Sequence, residues 1–382
     1  MRDLYHRPRQ RMIARPRHIV FLLSGLGAGG AEKVINLIAR HRADAGDTVS
    51  VLALNGHPVQ SFFPYADPIR VRTCENEAGK TSLLGRLQWL RRTLADLRPD
   101  LVVSFLTKVN VLTLLASLNK PWPVIVSERN NPQAQPAHPL WPYLTRATLP
   151  RAQAIVMQTE AAKATLLPRA AEGAHVIGNP CTLTRARAPV GDAASRFVAV
   201  GRLADQKGFD TLIDAFAYVH QTRPDATLTI YGEGPLRDDL QSQITGLNLN
   251  AVVHLPGLST SPGDWIDQGD SFVLSSRYEG FPNVLAEAMA AGMAAISTRC
   301  DWGPPELIAD GENGLLVPTD DPQALGSAML RVLQERALRE RLATSAKASA
   351  ATRFTLSSIL DQWDQVIDST LASRTRRARQ AA

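Results

Sequence analysis

From His18 onward the chain alternates short apolar runs rich in β-branched residues with longer segments of helical period, and it does so in two successive series. The first series reads HIVFLLSG, a glycine-rich turn, VINLIARHRADAG and TVSVLALNG, then DLVVSFL, PVIVSE and AIVMQT, with the helical stretch SLLGRLQWLRRTLADLR among them. The second reads RFVAVGRL, ATLTIYGEG, VVHLPGL, DSFVLSSRYEG, AAISTR and NGLLVP, again with helical segments between. Such runs, apolar throughout, are strands buried on both faces, and strands separated by helices lie parallel. The pattern predicts an α/β chain with two doubly wound, Rossmann-like sheets facing a cleft. A length of 382 residues, 45% of them apolar, suffices for two cores.

Between the two series, NPCTLTRARAPVGDAAS has neither helical nor strand period, which places a linker at 181–195. The chain then divides into a basic tail at 1–17, a first domain at 18–180 and a second at 196–353. In FTLSSILDQWDQVIDSTLAS, Leu356, Ile359, Leu360, Trp363, Ile367 and Leu371 fall at helical spacing. They predict a helix over 354–372 that caps the second domain or crosses back to the first, followed by a basic tail at 373–382.

The net charge is +6, with arginines concentrated in Arg2–Arg17 and Arg374–Arg379. No zinc-finger spacing or RNP-like aromatic strand accompanies them, so nucleic acid is not expected as a partner. An anionic membrane surface suits basic ends as well as solvated tails do. On the helix around residues 84–97, Leu84, Leu87, Leu90, Leu94 and Leu97 mark one face, flanked by Arg86, Arg91, Arg92 and Arg98. That is either a core-facing helix with a wet basic side or a membrane-surface helix. The uncharged apolar stretches fall short of the roughly 20 residues a spanning helix needs, and the Arg- and Pro-rich start does not read as a secretory signal. The expected location is the cytoplasm, with peripheral attachment to the cytoplasmic face of the inner membrane in the membrane reading. Cys74, Cys181 and Cys300 are too scattered for a disulfide framework or zinc site. No Asp-x-Asp element is present, so neither metal nor cofactor is expected.

Gly25, Gly27 and Gly30 satisfy G-x-G-x-x-G after a strand and before a helix. A nicotinamide-binding domain would carry an acid at the end of its second strand, and TVSVLAL ends instead at Asn55 and Gly56. The glycines therefore serve either a tight turn or close backbone approach to a diphosphate or acceptor.

The segment Arg277 to Gly292, RYEGFPNVLAEAMAAG, follows a strand and opens a helix, with Pro282 suited to the first turn. Backbone amides of Gly280 to Val284 would face an anion there. Glu279 stands before the helix and Glu287 eight residues on, inside it. GRLADQKGFD brings Arg202 and Lys207 into a loop at the same sheet edge, two cations able to clamp a diphosphate. The glycines of YGEGP, Gly232 and Gly234, admit a base or ribose, or simply a tight turn.

GRLADQKGFDTLIDAF, LTIYGEGPLRDDL, the Glu279–Glu287 pair and GPPELIADGENGLLVPTDDPQAL together resemble the donor-binding domain of retaining GT-B glycosyltransferases of family 4. The resemblance covers nearly the whole chain. The first half matches more loosely, through GAGGAEKV, VSERNNP and RAQAIVMQTEAAK, and is similar to the branch of exopolysaccharide and polyprenyl-diphosphate-linked glycan assembly that includes amylovoran-type transferases. The resemblance implies transfer, with retention, of a hexose or N-acetylhexosamine from a UDP-sugar, with GDP as the second choice, to a lipid-linked glycan. By it, Arg202 and Lys207 hold the donor diphosphate, Glu279 contacts the transferred sugar and Glu287 binds ribose hydroxyls. Gly280 and Phe281 contribute backbone amides, and Pro282, Asn283, Gly232 and Leu258 complete the donor side. Gly27, Gly29, Gly30, Glu128 and Arg129 form the acceptor or diphosphate loops of the first domain. Many members place a histidine there; VSERNNP offers Glu128, Arg129 and Asn130, and His138 lies nearby in sequence. Two competing readings remain: a sugar-nucleotide epimerase of the same fold, and a non-catalytic nucleotide-sugar-binding protein.

Overall fold

The computed structural model describes residues 16–27, 29–129, 140–182, 195–259, 261 and 263–381, with side chains to residue 373. The basic segment before residue 16, most of the expected linker, Asn130, His138 and the side chains of Arg374–Arg379 lie outside the described residues. The chain forms two compact units. One takes the chain to Met157 with Lys163–Ile177 and everything from Leu360 onward; the other comprises Gln158–Ala162 and Gly178–Ile359.

Unit 1 holds seven strands: β1 (His18–Leu23), β2 (Thr48–Ala53), β3 (Arg70–Thr73), β4 (Leu101–Phe105), β5 (Val124–Ser127), β6 (Ala154–Met157) and β7 (Ala174–Val176). They pair in parallel in the order β3-β2-β1-β4-β5-β6-β7. Unit 2 holds β8 (Arg196–Val200), β9 (Thr227–Tyr231), β10 (Val253–Gly257), β11 (Ser271–Leu274), β12 (Ala294–Thr298) and β13 (Leu315–Val317), parallel in the order β10-β9-β8-β11-β12-β13. Both orders are the doubly wound arrangement, in which the chain leaves one central strand to one side and its neighbour to the other. The sequence reading missed β3 and β7. They are edge strands, and a strand covered on one flank only need not be apolar throughout: RVRT alternates charge, and AHV has just three residues.

Successive side chains of a strand point to opposite faces, and unit 2 uses this to build two cores. Phe197, Ala199, Val273 and Ile296 pack against the helices Phe209–Thr222 and Pro322–Gln334. Val198, Phe272, Leu274 and Ala295 pack against the helix Asn283–Ala290.

The last helix, Leu356–Ala381, starts under a Thr355 cap, whose Oγ1 accepts from the Ser358 amide at 3.2 Å. It runs on to Ala381 rather than ending near 372, because no Gly or Pro interrupts its run of Ala, Arg and Gln. Within unit 1 its Trp363 is wholly buried and stacks on Phe105 at 5.5 Å between centroids. Beside it, buried Arg42 donates to Asp364 at 2.8 Å and to Asp47 at 2.7 Å, and His41 Nε2 lies 3.1 Å from Asp364. Burial alone would raise the Asp364 carboxyl, but His41 and Arg42 outweigh it and hold it below the ordinary carboxylate value. Cys181, expected in the linker, donates its amide to the Phe354 carbonyl at 2.7 Å.

The helix Leu83–Leu97 is a core-facing helix. Leu90 and Leu94 are fully buried and Trp89 nearly so, while Leu83 and Leu84 at its start are exposed. Among the described residues no helix is long and apolar enough to cross a membrane.

Candidate active site

In a doubly wound sheet the loops after the two central strands open a crevice at their carboxyl ends. In unit 2 these strands are β8 and β11, and the segments that follow them are Gly201–Gly208 and Ser275–Pro282. The topology thus brings Lys207 and Glu279 to one place from 72 residues apart.

Several hydrogen bonds stitch the two segments together. The Arg277 amide donates to the Gln206 carbonyl at 2.8 Å, Gln206 Nε2 to the Tyr278 carbonyl at 3.0 Å, and Ser275 Oγ to the Lys207 carbonyl at 2.8 Å. Gly208 adopts φ +57°, and a Cβ there would lie 2.3 Å from the Ser275 carbonyl oxygen, so the approach needs glycine. Outside the stitch, Arg277 forks onto Asp210 at 2.7 and 3.0 Å and reaches Asp320 at 2.7 Å. Burial pulls the Asp210 carboxyl up, but the guanidinium outweighs it and holds it below its ordinary value.

At the centre Lys207 Nζ donates to Glu279 Oε1 at 2.6 Å, and Ser276 Oγ donates to the same oxygen at 2.6 Å. Glu279 is 5% exposed. The Lys207 stem lies along Gly201, where a Cβ would come within 3.2 Å of three of its carbons. The Cys300 thiol is pushed up to about 12 by burial, then by the neighbouring Glu279 charge, so it stays neutral and inert.

The remaining expected donor residues fall into distinct surroundings. Arg202 is exposed one residue beyond Gly201, and no hydrogen bond or ion pair joins its side chain to Lys207 or Glu279. Glu287 is half-buried within the helix. Pro282 caps that helix rather than entering it, and Asn283 is its first residue. The Phe281 ring is buried edge-on to Phe354 at 5.5 Å, which leaves its backbone as the part that can meet a ligand. Gly280 is half-buried, and Gly303, at φ +62°, backs the turn so closely that a Cβ would lie 2.6 Å from Pro282. Gly232 is buried where a Cβ would sit 1.8 Å from the Gly201 carbonyl oxygen, so contact between strand ends already requires a glycine there. Leu258 is 72% exposed.

In unit 1, Gly27 and Gly29 are exposed in the turn after β1, and Gly30 opens the helix Gly30–Asp44. Asn55, where a nicotinamide domain would place an acid, donates to the Ser24 carbonyl at 2.7 Å and accepts from Arg86 at 2.9 Å. Glu128 is half-buried and accepts from Thr107 Oγ1 at 2.6 Å and from the Arg129 amide at 3.0 Å. Arg129 departs from the loop-surface expectation. Only 6% exposed, its guanidinium stacks 4.4 Å from the Phe105 centroid and 5.3 Å from that of Trp363, and burial lowers it to about 9. Of this pair, Glu128 is the accessible member.

Sequence reasoning missed Ser276, Arg277 and Asp210. Arg277 and Ser276 adjoin Glu279, which is a usable signal, but Asp210 lies in another segment and only folding pairs it with Arg277.

Residues 194–335 match the family model of the group 1 glycosyl transferases, and residues 29–181 that of the glycosyl transferase 4-like domain. An exopolysaccharide phosphotransferase of Streptomyces coelicolor is 28% identical over 93% of this chain and 41% of its own length. The Campylobacter jejuni α-1,4-N-acetyl-D-galactosaminyltransferase that acts on GalNAc-α-(1→4)-GalNAc-α-(1→3)-diNAcBac-PP-undecaprenol is 25% identical over 91% of this chain and 98% of its own length. Among solved structures, the Anabaena protein HepE in complex with UDP and glucose superposes with a TM-score of 0.78 at 22% identity, covering 92% of this chain and all of its own. The chain spans 41% of the length of the Streptomyces relative and about half that of several other curated relatives. With the two family models matched in succession over two Rossmann-like sheets, the chain belongs to the group 1 glycosyltransferases of GT-B architecture.

Proposed function

We propose that the protein transfers a hexose or N-acetylhexosamine, with retention, from a UDP-sugar to a glycan carried on polyprenyl diphosphate, in the assembly of a surface or exopolysaccharide. The observation that carries this reading is the Lys207–Glu279 pair at the ends of the two central strands of unit 2. In it, Lys207 and the exposed Arg202 offset the charge that grows on the departing diphosphate, Glu279 meets the transferred sugar and Glu287 the ribose. Unit 1 is assigned to the acceptor. The acceptor oxygen bonds to the anomeric carbon as the carbon–phosphate oxygen bond breaks on the same face, and the released phosphate oxygen takes the acceptor proton. The undecaprenol-linked substrate in the Campylobacter relative's name and the UDP and glucose bound by HepE support the choice of partners.

The test is calorimetry with UDP and GDP in chelator, followed by a donor panel assayed with polyprenyl-diphosphate glycans. Binding of neither nucleotide overturns the donor-site assignment. Incubation with the donor alone separates transfer from epimerisation, since an epimerase needs no acceptor.

Peripheral attachment to an anionic membrane belongs to the same reading. It is supported by the carboxyl edge of unit 1's sheet, not by the leucine stripe, whose Leu90 and Leu94 are buried. At that edge Val59, Phe62, Leu83 and Leu84 are exposed. The Phe62 amide donates to Leu26 in the glycine turn at 2.9 Å, and Arg86 ties the start of its helix to Asn55. Exposed Lys80, Arg91 and Arg92 supply positive charge on the same segment.

A further inference from the structure

Three carboxamides form one hydrogen-bonded line in unit 2. Gln158 Nε2 donates to Asn179 Oδ1 at 3.0 Å, and Asn179 Nδ2 donates to Asn283 Oδ1 at 2.7 Å. Gln158 and Asn179 are buried and Asn283 is half-buried. Because each amide donates to the next, the line has a direction. Asn179 occupies the Asn283 carbonyl, so the group Asn283 presents at the far end is its N–H pair. Asn283 is the first residue of the helix that follows the Glu279 turn, where the first backbone amides also lack partners within the helix. Gly178, next to Asn179, is pressed on Phe281 so closely that a Cβ would lie 2.9 Å from the ring, which restrains the segment from shifting.

A free carboxamide can rotate to offer either its oxygen or its N–H groups, so only its partners decide which one faces a ligand. Toward a phosphate the choice is decisive: an outward N–H gains a charge-assisted bond, and an outward carbonyl repels. Aligned amides also polarise one another in the same sense. We propose that Gln158 and Asn179 are positioning residues that hold Asn283 with its N–H outward, and that Asn283 hydrogen-bonds a phosphate oxygen of the sugar nucleotide. This rests on the donor-site reading given above.

Reversing the line tests it from a distance. In Gln158→Glu the side chain is an acceptor only, so Asn179 turns to donate to it, offers its carbonyl to Asn283, and Asn283 turns its own carbonyl outward. Calorimetry with UDP should show affinity weakened about tenfold, the loss of one charge-assisted bond. The kcat/KM for the nucleotide sugar should fall by at least the same factor, because charge grows on that phosphate as the sugar leaves. In an Asn283→Ala background the line has no terminal amide, and adding Gln158→Glu should change UDP affinity no further. Wild-type affinity in Gln158→Glu, or an equal loss in both backgrounds, overturns the relay. If Gln158→Glu does not fold, Asn179→Asp in the same two backgrounds carries the test, since it too can only accept. A wild-type protein that binds neither UDP nor GDP overturns the donor-site reading and the relay with it, before any variant is compared.

Discussion

Lys207 Nζ lies 2.6 Å from Glu279 Oε1, so the lysine assigned to the donor diphosphate and the glutamate assigned to the sugar neutralise one another before a donor arrives. A diphosphate must therefore compete with Glu279 for the lysine. Their roles, separable by position in the sequence, are coupled in the fold.

The two glutamates should respond differently to amide substitution. Glu279→Gln releases Lys207, so UDP should bind at least as tightly as to the wild type while turnover falls about 100-fold. Glu287→Gln should raise the donor KM about tenfold and leave kcat within about twofold, since ribose contacts are equal in ground and transition states. Steady-state profiles with UDP titrations check both. Weaker UDP binding in Glu279→Gln, or its full turnover, contradicts the assignment.

Acid should weaken the anchoring of the last helix. The Asp364 carboxyl sits below its ordinary value in the folded state, held there by His41 and Arg42 against burial. A depressed folded value means the stabilisation is complete above the unfolded value of about 4 and is lost as pH falls below it and through the lower folded value. Asp364→Asn should cost about 3 kcal/mol at pH 7, because it removes one partner of the buried Arg42. The gap from wild type should narrow below pH about 4. Urea unfolding across that range measures the gap, and a gap independent of pH contradicts the prediction.

Trp363→Ala should cost about 3–5 kcal/mol, because a wholly buried indole stacked on Phe105 leaves a cavity that Arg129 also lines. Urea midpoints report it. A loss under about 1 kcal/mol would mean that the helix contributes little to unit 1.

The exposed apolar edge of unit 1 should favour anionic vesicles, with each engaged cation adding about 1 kcal/mol. Co-sedimentation at low salt should recover more protein on anionic than on neutral vesicles, and Leu84→Asp should reduce recovery on both. Equal recovery on the two vesicle types removes the electrostatic argument.

Both sheets were legible in the sequence because strands buried on both faces are predominantly apolar, as the runs IVFLL and AAI are. The glycine turn and the Arg277–Gly292 segment were legible because turns and helix starts need particular residues at fixed offsets. The edge strands β3 and β7 were not, since a strand with one open flank carries no such compositional demand. Sequence spacing placed Leu90 and Leu94 on one helical face, but only packing decided that this face is core and that Leu83 and Leu84 are the exposed pair. Arg129 reads in sequence as a loop cation; only the fold sets it between Phe105 and Trp363, which lie far apart in the chain. The same holds for Lys207 with Glu279 and for Gln158, Asn179 and Asn283. Local chemistry and periodicity are written in neighbouring residues, whereas which distant side chains share a hydrogen bond is settled by strand order and crossover, and that order exists only once the chain is folded.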